Sequence, residues 1–212
     1  MRRGLRGRRG VPAWPRDPGA GLAGWISFRE QVHAEPRQPG YGDLSGAAQV
    51  RHHQAYLAMK KGDPARAEAL FDQAVTIARQ AQDTGLAAYA LLSGIPVLVD
   101  DGRITDAGNH WLTAYRQTGP AGSAVLHLAL LGYAASIAAP GRRPHRAVVL
   151  TEIAAGLLSE TGWQDDTLLA WFWRTVAPAY DALGEAAVTA ARQEAQRMPL
   201  DAALLYAASE ND

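Results

Sequence analysis

GDPARAEALFDQA (Gly62–Ala74) and GRITDAGNHWLTA (Gly102–Ala114) begin 40 residues apart and share one spacing. Counted from the leading glycine, each has alanine at offset 5, an aromatic at offset 9 and alanine at offset 12. The residues are Ala67, Phe71 and Ala74, then Ala107, Trp111 and Ala114. Steps of four and three put all of them on one helix face. The alanines let a neighbouring helix approach, and the aromatic fills the gap between units. The leading glycine suits a left-handed helix end. Another 40 residues on, Ala147, Thr151 and Ala154 keep the small positions and lose the aromatic, and a more degenerate unit surrounds Leu183-Gly184. An internal repeat of this period implies stacked helical hairpins.

From Ala47 onward the periodicity is helical, with short punctuations at Gly62-Asp63-Pro64, Asp83-Thr84-Gly85, Asp100-Asp101-Gly102, Gly119-Pro120, Pro140-Gly141, Gly162 and Leu183-Gly184. These predict helices over 47–61, 64–82, 85–99, 104–118, 122–139, 144–161, 165–182 and 185–197, and a short one over 200–208. Pro96 and Pro178 should kink their helices or end them early. No stretch alternates as a strand would. Leu86–Val99 and Ser123–Ala139 are apolar on nearly every face, but the second is only 17 residues and contains His127 and Ser136. A spanning helix needs about 20 residues, so a buried helix inside a stack is expected, with no membrane association.

Composition agrees. Alanine occurs 42 times in 212 residues, which favours helix. Lys+Arg and Asp+Glu are both 21, so no net field draws the chain to nucleic acid or an anionic membrane. The absence of cysteine excludes a thiol nucleophile, a thiolate metal site and disulfides. The charge is uneven, however. Residues 1–46 hold eight Arg, four acidic residues, five Pro and nine Gly. This composition predicts a disordered basic tail, in which Trp25–His33 is the one stretch with a short helical pattern. After MRRGLRGRRG the sequence Val11-Pro-Ala-Trp-Pro offers no apolar run for a secretory signal, so a cytoplasmic location is expected.

The small–aromatic–small helices with their turn glycines resemble the tetratricopeptide repeat, lengthened from 34 to about 40 residues. The fold expected is therefore all-α: a right-handed solenoid of about four tetratricopeptide-like hairpins over residues 47–208, behind the disordered tail of 1–46. A second resemblance lies in RAVVLTEIAAGLLSETG (Arg146–Gly162) and ALGEAAVTAARQEAQRMPLDAALLYA (Ala182–Ala207). With Leu183-Gly184-Glu185, Ala187, Ala191 and the Leu-rich close from Leu200 to Leu205, it is similar to the end of the sensor region in a bacterial regulator family. Those regulators join a STAND-type ATPase to LuxR-type or antibiotic-regulator-type DNA-binding domains. Here Lys60-Lys61-Gly62-Asp63 lacks the glycine spacing that cradles phosphates, and no helix-turn-helix follows Ala208. The resemblance thus implies the sensor part alone, without motor or DNA reader.

Several apparent motifs have plainer readings. Gly19-Ala-Gly21-Leu-Ala-Gly24 matches GxGxxG, but Pro15-Arg-Asp-Pro18 precedes it where a strand would be needed. His52 and His53 are adjacent and point apart, while His110, His127 and His145 fall on three different predicted helices. Asp100-Asp101 and Asp165-Asp166 sit at helix ends, where carboxylates cap or solvate. Trp163, Trp171, Phe172 and Trp173 form the densest aromatic cluster, expected as core with a partner anchor as the alternative. No catalytic, cofactor or metal residues are assigned, and an enzyme is not expected. In tetratricopeptide proteins the first helix of each pair lines the concave face. The resemblance then puts Gln49, His52, Tyr56, Lys60 and Tyr89 there, a mixed polar and aromatic set suited to a protein or peptide partner. The expected function is non-catalytic partner binding in bacterial signalling or transcription regulation. The alternative is a DNA-binding regulator acting through its Arg-rich N-terminal arm.

Overall fold

The structure, a computed structural model, describes residues 44–118, 124–140, 143–161 and 166–209. Among the described residues it is all-α, with no strand. The helices are α1 (Leu44–Lys60), α2 (Pro64–Gln80), α3 (Thr84–Asp100), α4 (Ile104–Thr118), α5 (Ala124–Ala138), α6 (Pro144–Thr161), α7 (Asp166–Arg197) and α8 (Leu200–Ala208). The first six start at 44, 64, 84, 104, 124 and 144, so the 40-residue repeat is built from two helical units of 20.

One turn produces that register. At its end α1 accepts two bonds from the turn: Gly62 N–H donates to Met59 O and Asp63 N–H to Ala58 O, both at 3.0 Å. The ends of α2 and α3 repeat the pair through Gln82 with Asp83 and Gly102 with Arg103. This double bond closes a helix when the residue after it is left-handed. Gly62 and Gly102 have φ of 74° and 75°, and Gln82 takes the same role at 56°. The next residue begins the following helix: Asp63 accepts from Arg66 N–H at 3.1 Å and Asp83 from Leu86 N–H at 3.0 Å. Such caps satisfy donors left open at a helix start. Stop and start therefore occupy two adjacent residues, and successive helices must fold back on one another.

Packing follows sequence order. From α1 to α7 each helix lies against its neighbours in the chain, and α1, α3 and α5 also touch the helix after next. That pattern makes the first helices of the hairpins a continuous inner layer. At the crossings Ala67, Ala74, Ala107, Ala114 and Ala147 are fully buried, as are Phe71, Trp111 and Thr151 between them. Trp111 donates to Leu130 O at 2.7 Å, closing the seam between α4 and α5. In α3 the nine consecutive residues Ala90–Leu98 leave no polar face: all of Leu86–Leu98 except Tyr89 is buried.

Several expectations change. Helix α1 starts at Leu44, three residues inside the expected tail, and its first turn is tied to the stack by Ser45 Oγ donating to Asp83 Oδ2 at 3.2 Å. Residues 1–43, with the Arg-rich opening, the GxGxxG match and Trp25–His33, lie outside the described residues. Neither Pro96 nor Pro178 ends its helix. The break in α7 comes instead at Gly184, with φ 74° and ψ 167°, dividing it into arms 166–183 and 185–197. This turn uses one residue where the others use two, so burial in the second arm arrives early. Val188, Ala191 and Ala195 are buried there, whereas Ala187 of the expected pattern is half-exposed. Short α8 folds back onto α5 and α6. Arg146 fixes it there, donating to Ala207 O at 2.7 Å and lying 5.0 Å from the Tyr206 ring centre.

The crossings make a prediction. Ala67→Trp or Ala107→Trp should each destabilise by about 1–3 kcal/mol in urea unfolding, through overpacking. Ala65→Trp, on an exposed position of α2, should cost far less. Equal losses at all three would contradict the helix contacts described.

Candidate functional site

The polar residues expected on the inner surface do not form one site. Tyr56 and Lys60 lie one turn apart on α1, with the Lys60 ammonium 4.8 Å from the Tyr56 ring centre. Gln49 is half-buried nearer the start of the same helix. His52 is not on the surface at all. Only 2% of it is exposed, its Nε2 lies 2.9 Å from Ser93 Oγ, and its ring packs at 5.5 Å on Phe71 and 4.8 Å on Tyr89. The physical reason is visible around it: Ala48, His52 and Ala55 repeat the spacing of Ala67, Phe71 and Ala74, and both flanking alanines are fully buried. His52 is the large residue of a helix crossing that ties α1 to α2 and α3. Burial, helped by the charge of His53, pushes its pKa down to about 3.

Tyr89 is the expected site residue that meets a pocket. Beyond its contact with His52 it borders an open apolar groove. The groove lies where α3, α5, α6 and the first arm of α7 meet. Its small residues are Ala129 and Gly132 from α5 and Ala154 and Ala155 from α6; its bulky walls are Tyr89, Tyr133, Trp171 and Phe172, with Leu128, Leu158, Leu168 and Leu169 between. No lining residue is charged. Small side chains beside large ones leave the space open: a Cβ on Gly132 would stand 3.5 Å from the Phe172 ring.

The aromatic wall is held by polar contacts outside it. Trp171 is buried and donates its indole N–H to Asp100 Oδ1 at 2.9 Å. Asp100 also receives Arg174 Nη2 on both oxygens, at 3.1 and 2.9 Å. Asp100, expected as a helix-end carboxylate, thus joins the end of α3 to α7 across the stack. Behind the wall, Glu152 accepts from Tyr180 OH at 3.0 Å and from Arg192 Nε at 2.9 Å, linking α6 to both arms of α7. Burial, then the Glu152 charge, raises the Tyr180 pKa. These groups position helices; none faces the groove lining.

Histidines stay dispersed: His127 is buried in α5, and His145 pairs with Glu194 at 3.4 Å. Among the described residues no three His, Asp or Glu side chains are grouped to hold a metal ion, and no helix is long and apolar enough to cross a membrane. Asp165 and Trp163 lie outside the described residues. No family model, curated protein or solved structure matches the chain.

His52 gives the core a pH dependence of known sign. Its folded pKa is depressed, so below the unfolded value near 6.5 the unfolded chain binds the extra proton. The stability is complete above pH 6.5 and is lost as pH falls toward the folded pKa. Between pH 7 and pH 5 the chain should lose about 2 kcal/mol more than the His52→Gln variant in urea unfolding. Parallel losses in the two proteins would place His52 in contact with water.

Proposed function

We propose that this chain is a non-catalytic helical-repeat module that binds a protein or peptide segment through the apolar groove on its inner layer. The observation that carries the reading is the groove itself: an uncharged, aromatic-walled cleft bordered by α3, α5, α6 and the first arm of α7. Buried aromatic anchors concentrate binding energy in such clefts. An amphipathic helix laid into an apolar groove, with anchors at helical spacing, matches that lining better than a charged or extended peptide would. The tetratricopeptide-like spacing supports a partner-binding role. The resemblance to the sensor region of STAND-type regulators supports a place in bacterial signalling or transcription regulation.

The groove assignment moves the proposed contact away from Gln49, Tyr56 and Lys60 and keeps Tyr89. Phe172 and Trp171 take the place of His52. A second reading rests on the eight Arg of residues 1–46, a basic arm able to hold DNA phosphates. It requires binding that weakens steeply with salt and disappears when residues 1–16 are removed.

Panning a library of helical peptides against the purified chain should enrich aromatic and aliphatic anchors at spacings of three, four and seven. Replacing Tyr89 and Phe172 together by Asp should weaken capture of an enriched peptide by about tenfold or more, since each anchor is worth on the order of 1–2 kcal/mol. Helical circular dichroism should be retained. The same preparation should turn over no ATP. Capture that survives this double change but fails with Tyr56→Ala would move the site to α1, and ATP turnover would overturn the non-catalytic reading.

A further inference from the structure

We propose that the outer face of α1 is a second docking surface, separate from the groove, and that it takes an acidic amphipathic helix of another protein. Among the described residues α1 packs on α2 and α3, burying Ala48, His52, Ala55 and Ala58. The opposite side presents Ala47, Val50, Gln54 and Leu57, all exposed, at steps of three and four. Val50 is 55% exposed and Leu57 53% exposed. Together with Leu205 they are the large hydrophobic side chains most open to water among the described residues.

This spacing is half of a coiled-coil seam. Ala47 and Gln54 stand at the first core position of successive heptads, and Val50 and Leu57 at the second. In a paired seam the residues beside the core meet their counterparts on the other helix, and their charges choose the partner. Here those residues are Arg51 on one side and His53 and Lys60 on the other, all exposed. Lys61 follows directly at the helix end.

The charge is of one sign. Helix α1 contains no Asp or Glu, and among the described helices it alone has basic residues without acidic ones. Arg51 Nη1 donates to Gln54 Oε1 at 2.9 Å, and the Lys60 ammonium lies over the Tyr56 ring. Neither meets a carboxylate among the described residues. A second α1 from another copy would bring like charges together, which costs affinity. A bilayer calls for a broad apolar face rich in aromatic and leucine side chains, whereas this stripe is one helix wide with two aliphatic residues. A helix with aliphatic residues at heptad spacing, bracketed by Glu or Asp, satisfies both the stripe and its cations.

Two synthetic three-heptad peptides test this on the full-length chain at low salt. Both carry Leu at the seam positions; one has Glu at every flanking position and the other Lys. The acidic peptide should bind saturably and about tenfold more tightly or more, with an advantage that shrinks as salt is added. Leu57→Asp should weaken it by about tenfold or more. Arg51→Glu with Lys60→Glu should reverse the preference, so that the Lys peptide binds better. These side chains are exposed, so the reversal does not depend on a disturbed fold. Equal binding of the two peptides, no binding of the acidic one, or no reversal would each overturn the proposal. Self-association in sedimentation that Leu57→Asp abolishes would overturn it in favour of a second copy. Capture of the chain by phosphatidylserine vesicles, abolished by the same change, would overturn it in favour of a membrane surface. The groove is tested independently, because its lining contains no residue of α1 and the Tyr89 and Phe172 replacements should leave this binding unchanged.

Discussion

Everything else in this molecule depends on how closely its helices cross. At the crossings of α2, α4 and α6 the contact residues are alanines with zero to 4% exposure, flanking one larger side chain. Removing side-chain volume there brings backbones together, and a close-packed interior leaves each crossing one good register. The three turns with left-handed residues at 62, 82 and 102 then set helix length, because the chain stops and restarts within two residues. Fixed length and fixed crossing together generate the 20-residue step. Neither would suffice alone: tight turns without small contacts would splay the hairpins, and alanine contacts without fixed turns would let them slide.

The inner layer is the product of that step. Because α1, α3 and α5 each touch the helix after next, their facing surfaces are continuous, and the groove opens where this layer runs out of bulk. Gly132 and Ala129 leave space beneath Tyr133 and Phe172, while Asp100 holds Trp171 upright from outside. Polar groups work here as struts behind an apolar surface. Glu152, Tyr180 and Arg192 do the same between α6 and the two arms of α7.

Much of the fold was legible in the sequence because alanine and turn residues report geometry directly. The helix spans, the repeat at Gly62 and Gly102 and the absence of strands among the described residues all follow from them. The half-period of 20 was hidden, since α1 and α3 carry no aromatic at the matching place. Ala48-His52-Ala55 does carry the small–large–small signature, but a histidine in the large position reads as a surface residue until its flanking alanines are noticed. The groove was harder still. Ala129, Gly132 and Tyr133 sit in a helix apolar on every face, where periodicity cannot separate core from cleft. Tyr89 was found for its aromatic character on the right helix. Trp171 and Phe172 were visible as a cluster, yet only the Asp100 contact shows which way the wall faces.

The function proposed above places the partner in the inner groove and on no other surface. Methyl-resolved NMR of the chain titrated with a groove-selected peptide tests this most directly. Saturable shifts are expected at the Leu128, Leu158, Leu168 and Leu169 methyls, with Val50, Leu57 and Leu205 unmoved. Shifts centred on Val50 and Leu57, with the four groove leucines unchanged, would contradict it.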